Sequence, residues 1–404
     1  VEQLVNPELI VVDVRPPAAY NGWRLRAEAR GGHIRGAASF PLSWTARVAG
    51  GELAALLASK GITPDKTVVL YGYGPDDSAA MAGLLADFGY ENALVYEAGL
   101  AEWAANRSLP MDRLPNYEKL VYPEWVDRLI SGQNPETYAG NGFVIFEVSW
   151  GELEQYKAGH IPGAVHLDTQ VIEKAPLWNR LPDAALEETL LAYGITHNKT
   201  AVLYGKDTTA AARAACILMY AGVEDVRLLD GGFAAWVAAG YDVETKARKP
   251  VPVAAFGRRI PGRPEYIIDT EAVKARLPDA GAVLVSVRSW AEYTGQTSGY
   301  DFVRPRGRIA GAVWGQSGSD AHHLQDYRNV DNTMRSYPEI ASAWREAGII
   351  PGKRVAFYCG TGWRASEAFF YAYLMGWPNI AVYDGGWLEW SLDSSNPVER
   401  GDPG

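Results

Sequence analysis

Short apolar runs alternate along this chain with longer stretches whose apolar residues recur every three or four positions. Leu9-Ile10-Val11-Val12, Val68-Val69-Leu70-Tyr71, Ala201-Val202-Leu203-Tyr204 and Val355-Ala356-Phe357-Tyr358 are runs of the first kind. Such runs predict buried strands, and the longer periodic stretches predict amphipathic helices. In the first third of the chain this places strands near 9–14, 67–71 and 93–96, with helices near 51–59 and 77–88. Further on, helices are predicted over 210–221 and 365–375. Strand and helix in alternation imply right-handed βαβ units, hence an α/β fold with a mostly parallel sheet and helices on both faces. Ligands of such sheets bind at the carboxyl ends of strands.

The pattern occurs three times. Gly72, Gly205 and Cys359 each follow an apolar run, and each is followed 31 residues later by a tryptophan: Trp103, Trp236 and Trp390. Just before that tryptophan stand Glu97-Ala98-Gly99, Asp230-Gly231-Gly232 and Asp384-Gly385-Gly386. Upstream lie glycine turns, His33-Ile34-Arg35-Gly36-Ala37, His160-Ile161-Pro162-Gly163-Ala164 and Arg308-Ile309-Ala310-Gly311-Ala312. Further back are the strand ends Asp13-Val14-Arg15, Glu147-Val148-Ser149 and Ser286-Val287-Arg288. A period of well over a hundred residues describes repeated domains rather than a solenoid. Proline-rich joints at 109–115 and 249–264 suggest domains over 1–113, 114–250 and 251–404.

A length of 404 residues and 48% hydrophobic content suit several domains with real cores. No apolar run reaches the ~18 residues of a membrane span. The net charge of −10 argues against nucleic acid as a partner. The chain begins with Val1 rather than Met, as it would after removal of a leader or tag. His322-His323 has no neighbouring cysteine or acidic cluster at ligand spacing and reads as a solvated loop, so no metal is expected.

Of two cysteines, Cys216 falls inside a helical run and reads as a small buried apolar residue. Cys359 differs. It ends a strand and opens Gly360-Thr361-Gly362-Trp363-Arg364, with a helix behind. A thiolate is a nucleophile, and helix N-termini and cations favour it. Gly360 and Gly362 let the backbone curl so that N–H groups can face the sulfur. The helix near 365 points its positive end there, and Arg364 brings a fixed charge. No histidine base and no cofactor are needed. Copies one and two lack the thiol, so one armed site and two scaffold copies are expected. The Gly72-Tyr73-Gly74-Pro75-Asp76-Asp77 loop of copy one is acidic where the Cys359 loop is cationic.

The residues Cys359-Gly360-Thr361-Gly362-Trp363-Arg364, Tyr383-Asp384-Gly385-Gly386-Trp387 and Ser286-Val287-Arg288-Ser289-Trp290 resemble those of rhodanese-type sulfurtransferases. Copies two and three together resemble the family's tandem form, with an inactive domain before an active one, and the whole chain resembles its three-domain members. The resemblance implies three rhodanese-like domains, the first two inactive. It implies a catalytic Cys359 that carries sulfur as a persulfide, in covalent ping-pong catalysis. It also implies donor binding by Arg288, Gly360, Thr361, Gly362, Trp363 and Arg364. The partners implied are a small anionic sulfur donor such as thiosulfate and a protein sulfur donor or acceptor. The compartment implied is the periplasm, with the cytoplasm as the alternative. Trp178 and Asn179 of copy two are expected to wall the cleft. Trp363 is expected either to line the pocket or to pack on a neighbouring domain, Trp387 and Trp390 to be core or wall.

Three other functions compete. Gly360-Thr361-Gly362 also resembles mercaptopyruvate-type loops. A persulfide-bearing Cys359 serves a non-turnover carrier or docking protein equally well. A cysteine phosphatase of similar fold has a Cys-x5-Arg loop, whereas Cys359 and Arg364 are spaced Cys-x4-Arg, a loop better sized for one sulfur atom than for phosphate.

Overall fold

A computed structural model describes residues 4, 6–151, 153–277 and 279–403. It divides into two compact units, Val1–Glu118 and Lys119–Gly404. No helix among the described residues is long and apolar enough to cross a membrane.

The first unit holds one copy. Its parallel sheet runs in the order Ala38–Ser39, Leu9–Asp13, Thr67–Tyr71, Ala93–Val95. Successive side chains of a strand face opposite ways, and Val11 and Val12 show the result. Val12 packs with Trp44, Leu53, Leu57, Met81 and Leu85, on one face. Val11 packs with Ile34, Leu100 and Ala104 on the other. The helices Gly50–Ser59 and Pro75–Asp87 therefore cover one face and Gly99–Ala105 the other.

The second unit holds two copies with matching topology. One sheet runs Leu120–Val121, Asp225–Leu229, Thr200–Tyr204, Phe143–Ser149, Val165–Asp168. The other runs Ile267–Ile268, Ile380–Tyr383, Arg354–Tyr358, Ala282–Ser286, Val313–Trp314. Every pairing in both is parallel. The helices Thr208–Ala221 and Trp363–Leu374 pack against each other between the two sheets. All of Thr208–Ala221 is buried, which explains why its sequence is largely apolar around Arg213. Cys216 lies there as a free, buried thiol.

The repeated landmarks have structural causes. Tyr71, Tyr204 and Tyr358 each place a buried hydroxyl to accept the backbone N–H of the upstream glycine turn, from Ile34, Ile161 and Ile309. Trp103, Trp236 and Trp390 each donate their indole N–H to a backbone carbonyl six or seven residues on, at Pro110, Asp242 and Pro397. The tryptophan thus pins the chain as it leaves each copy. Trp387 and Trp390 are fully buried in the third copy's core.

Element ends lie within two residues of the sequence expectation. The helices expected from 77, 210 and 365 each begin two residues earlier. The one expected at 210 begins at Thr208 because Asp207 caps it, accepting from the Thr209 N–H. The helix expected at 365 begins at Trp363, because Gly362 turns the chain with φ 104°. Arg364 therefore belongs to the first helical turn. At the joints, Leu120–Val121 already pairs into the second sheet. Residues 251–257 lie along the second copy, through Val253 N–H to Leu191 and His197 N–H to Phe256.

Candidate active site

Cys359 follows the strand Arg354–Tyr358, central in its sheet, and is fully buried. The Gly362 N–H donates to its Sγ at 3.2 Å. The carbonyls of Cys359 and Gly360 accept from the N–H groups of Trp387 and Leu388 at 2.8 and 3.1 Å. Across a trans peptide the N–H opposes the C=O, so the Gly360 and Thr361 N–H groups point away from that contact. Thr361 is half-buried at the loop's tip.

Two arginines and one glutamate lie beside the loop. Arg364 donates to both Glu292 oxygens, at 2.8 and 2.9 Å, and to the Asp320 carbonyl at 3.2 Å. Its Nε has no partner among the described residues. Arg288 donates to Glu292 at 3.3 Å, to the Gly307 carbonyl at 2.7 Å and to the Ser298 carbonyl at 3.3 Å. All three side chains are buried. Burial alone would raise the Glu292 carboxyl, but Arg364 and then Arg288 outweigh it and hold it at about 2. Burial lowers Arg288 against the pull of Glu292. Two guanidiniums against one carboxylate leave a net positive charge beneath the loop. Sequence reasoning found both arginines and missed Glu292. Its signal was Ser289-x-x-Glu292, which forms a reciprocal capping box in the structure.

Tyr300 packs against both the loop and the cluster, with the Arg364 guanidinium 5.4 Å from its ring centroid. Its ring lies 2.5 Å from where a side chain at Gly360 would begin, so only glycine fits beneath it. The Tyr300 hydroxyl donates to the Ala321 carbonyl at 3.1 Å, and its ring stacks on the exposed Phe302. Burial first, and then Cys359 against the opposing pull of Arg364, pushes the phenol up to about 12. Sequence reasoning did not find Tyr300, which lies far from the loop along the chain. His322 and His323 are exposed; His322 meets the Tyr300 ring edge-on, and His323 bonds Asp320.

The second copy supplies the opposite wall. Trp363 donates its indole N–H to Glu173 of that copy at 2.7 Å, so it packs on the neighbouring domain. Leu177 and Trp178 pack against the third copy's core, and Asn179 donates to Glu389 at 2.6 Å. Glu173 also accepts from Arg213 at 2.9 Å, and Arg213 donates onward to Asp384 at 2.6 Å. Burial raises Glu173 to about 6, against Arg213 and Trp363.

Copies one and two lack this arrangement. In copy one Tyr73 stands where copy three has Gly360, and it lies under the guanidiniums of Arg15 and Arg26. Arg15 is engaged with Asp13 and the Gly32 carbonyl. The loop's Asp76 and Asp77 are exposed in the first turn of the following helix. In copy two Asp207 caps the helix instead.

The profile of the Rhodanese-like domain matches this chain at residues 1–106, 123–239 and 269–393. Thiosulfate sulfurtransferase YnjE of Escherichia coli (strain K12) is 41% identical over 404 residues, covering 100% of this chain and 92% of that protein. Sulfur carrier protein TtuD of Thermus thermophilus is 32% identical, covering 70% of this chain and 98% of that protein. Among solved structures, EanB with a cysteine persulfide and ergothioneine superposes with a TM-score of 0.97 at 43% identity, covering 100% of this chain and 98% of that one. EanB has also been solved with hercynine.

Proposed function

The chain belongs to the rhodanese family of sulfurtransferases, and we propose that it moves sulfane sulfur from thiosulfate, or a similar small anionic donor, through a persulfide on Cys359. The observation that carries this reading is the Gly362 N–H on the Cys359 sulfur, above the net positive Arg288–Glu292–Arg364 cluster. The Cys359 thiolate attacks the outer sulfur of thiosulfate. The donor's S–S bond breaks, sulfite leaves with the electron pair, and the sulfur stays as a persulfide. A nucleophile such as cyanide or a thiol then attacks that outer sulfur and releases the Cys359 thiolate. Backbone N–H groups stabilise sulfur's negative charge in both halves. Gly360, Thr361, Gly362 and Trp363 shape the pocket. Arg288 and Arg364 supply field more than contact, since most of their donors already bind protein. Domains one and two are non-catalytic, lacking the thiol.

A second reading concerns the acceptor. The EanB structures include substitutions of a tyrosine 59 residues before its persulfide cysteine and of a threonine two residues after it. Tyr300 and Thr361 stand at the same spacings from Cys359. That match, with Tyr300 packed against the loop, supports a small organic acceptor such as hercynine. TtuD's name supports a third outcome, sulfur carriage without turnover.

Intact-mass spectrometry tests all three. Thiosulfate should add one sulfur atom to the protein, at Cys359. Chasing with cyanide, a thiol or hercynine identifies the acceptor by loss of that mass and appearance of thiolated product. Failure of thiosulfate, 3-mercaptopyruvate and inorganic polysulfide alike to load Cys359 would overturn the proposal.

A further inference from the structure

We infer that Arg213, in the second domain, is a positioning residue for the Cys359 loop. Arg213 is fully buried on the Thr208–Ala221 helix. Its Nη1 lies 3.0 Å from where a side chain at Gly362 would begin. Gly362 is the residue whose N–H reaches the sulfur, and its φ of 104° is a left-handed value. The guanidinium thus forms the floor under the turn.

Both carboxylates that hold Arg213 are themselves tied to the loop. Glu173 accepts from Arg213 Nε at 2.9 Å and from the Trp363 indole at 2.7 Å. Asp384 accepts from Arg213 Nη2 at 2.6 Å. Asp384 opens the segment whose Trp387 and Leu388 N–H groups bond the Cys359 and Gly360 carbonyls. Arg213 therefore braces three points of the loop: Gly362 directly, Trp363 through Glu173, and the Cys359–Gly360 carbonyls through the Asp384 segment. Its Nη1 has no hydrogen-bond partner among the described residues. A buried charged donor without a partner is costly, and a purely structural arginine would be expected to satisfy it.

The third domain contains a charge-reversed twin that serves as a control. At the position matching Arg213, eight residues past Cys359, stands Glu367, and it accepts from Arg328 at 2.8 and 2.5 Å. Glu367 lies on the helix that packs against Thr208–Ala221, yet among the described residues the pair bonds nothing in 359–362.

The inference rests on persulfide formation at Cys359, and its test separates the two claims. The rate of one-sulfur gain from thiosulfate, and from inorganic polysulfide, is measured by quenched intact mass on the full chain. Arg213→Met should slow loading at least about tenfold while circular dichroism stays native. Arg213→Lys, which keeps the charge but lacks the fork, should also slow it. Adding Glu173→Gln to Arg213→Met should slow it little further, because both act through one link. The double variant Arg328→Met/Glu367→Gln should load within about twofold of wild type. Wild-type loading by Arg213→Met would overturn the inference. Equal slowing in the Arg328/Glu367 variant would also overturn it, by reducing Arg213 to domain packing. Should Arg213→Met not fold, wild-type loading by folded Arg213→Lys overturns it. If wild type gains sulfur from neither donor nor from 3-mercaptopyruvate, the functional proposal falls and this inference with it.

Discussion

Arg364 grips Glu292 with both ends of its guanidinium, Nη1 to Oε2 at 2.8 Å and Nη2 to Oε1 at 2.9 Å. Two parallel charge-assisted bonds fix a plane as well as a distance. Arg288 approaches the same carboxylate from the strand side. The positive field proposed to favour an anionic sulfur thus depends on a glutamate that binds no donor itself.

This pairing predicts an acid-sensitive step. Glu292 is held at about 2 in the folded protein, below its ordinary 4.5. A depressed carboxylate contributes stability that is present above its unfolded pKa and lost as pH falls toward 2. The contribution is about 3 kcal/mol. Glu292→Gln should be less stable than wild type near neutrality, with the gap narrowing by about that amount between pH 6 and pH 2. Urea midpoints of both proteins across that range are the check.

Asp230 predicts the opposite slope. Burial, with Asp331 and Glu367 nearby, raises it to about 8, although the Met334 N–H at 2.7 Å opposes the shift. Its stabilising effect is complete below the unfolded pKa of ~3.9 and is lost as pH rises through 8. Asp230→Asn keeps an oxygen for the Met334 N–H and cannot ionise. The variant should therefore gain on wild type as pH rises from 6 to 9, by an amount that denaturant midpoints would show.

The two cysteines should separate cleanly. Cys359→Ser should abolish sulfur loading and transfer. Cys216, buried in the helix pair and pushed up to about 12 by burial, should stay unloaded, and Cys216→Ser should keep most activity. Sulfur mass mapped to a Cys216 peptide would contradict this.

Gly362→Ala should damage function beyond its effect on stability. A side chain there meets both a left-handed φ of 104° and the Arg213 guanidinium. Such strain costs on the order of 1–3 kcal/mol, and relieving it would move the N–H off the sulfur. Transfer rates should fall at least about tenfold, with the global fold retained by circular dichroism.

Removal of residues 1–118 should leave small-donor turnover within about tenfold, about 1.4 kcal/mol in barrier. Lys119–Gly404 is a compact unit that contains the Cys359 loop, its arginines and its opposite wall. Thiosulfate:cyanide turnover of the folded truncation is the measurement. A folded but inactive protein would assign the first copy a part in the site.

The threefold repeat was legible because its landmarks serve each copy locally. Tyr71, Tyr204 and Tyr358 brace a glycine turn, and Trp103, Trp236 and Trp390 pin a chain end, always at similar separations. Cys359 and Arg364 were legible as departures from that repeat, and Arg288, whose place copy one fills with Arg15, through the family resemblance. Tyr300, Glu173 and Arg213 were not. Each reaches the loop from a distant segment, Tyr300 within the third domain and Glu173 and Arg213 from the second, and no local periodicity marks a side chain whose partner lies so far along the chain. Glu292 falls between these cases: its capping-box spacing was readable, but its pairing with two arginines appears only once the chain has folded.

The Trp363–Glu173 contact also bears on the order of events during synthesis. The residue that anchors the reactive loop belongs to a domain translated well before the cysteine emerges, and domains generally fold in that order. A ready surface with Glu173 and Arg213 therefore awaits the third domain as it leaves the ribosome. The loop's tie to the second domain thus forms when the two domains dock, rather than when the last residue of the chain is made.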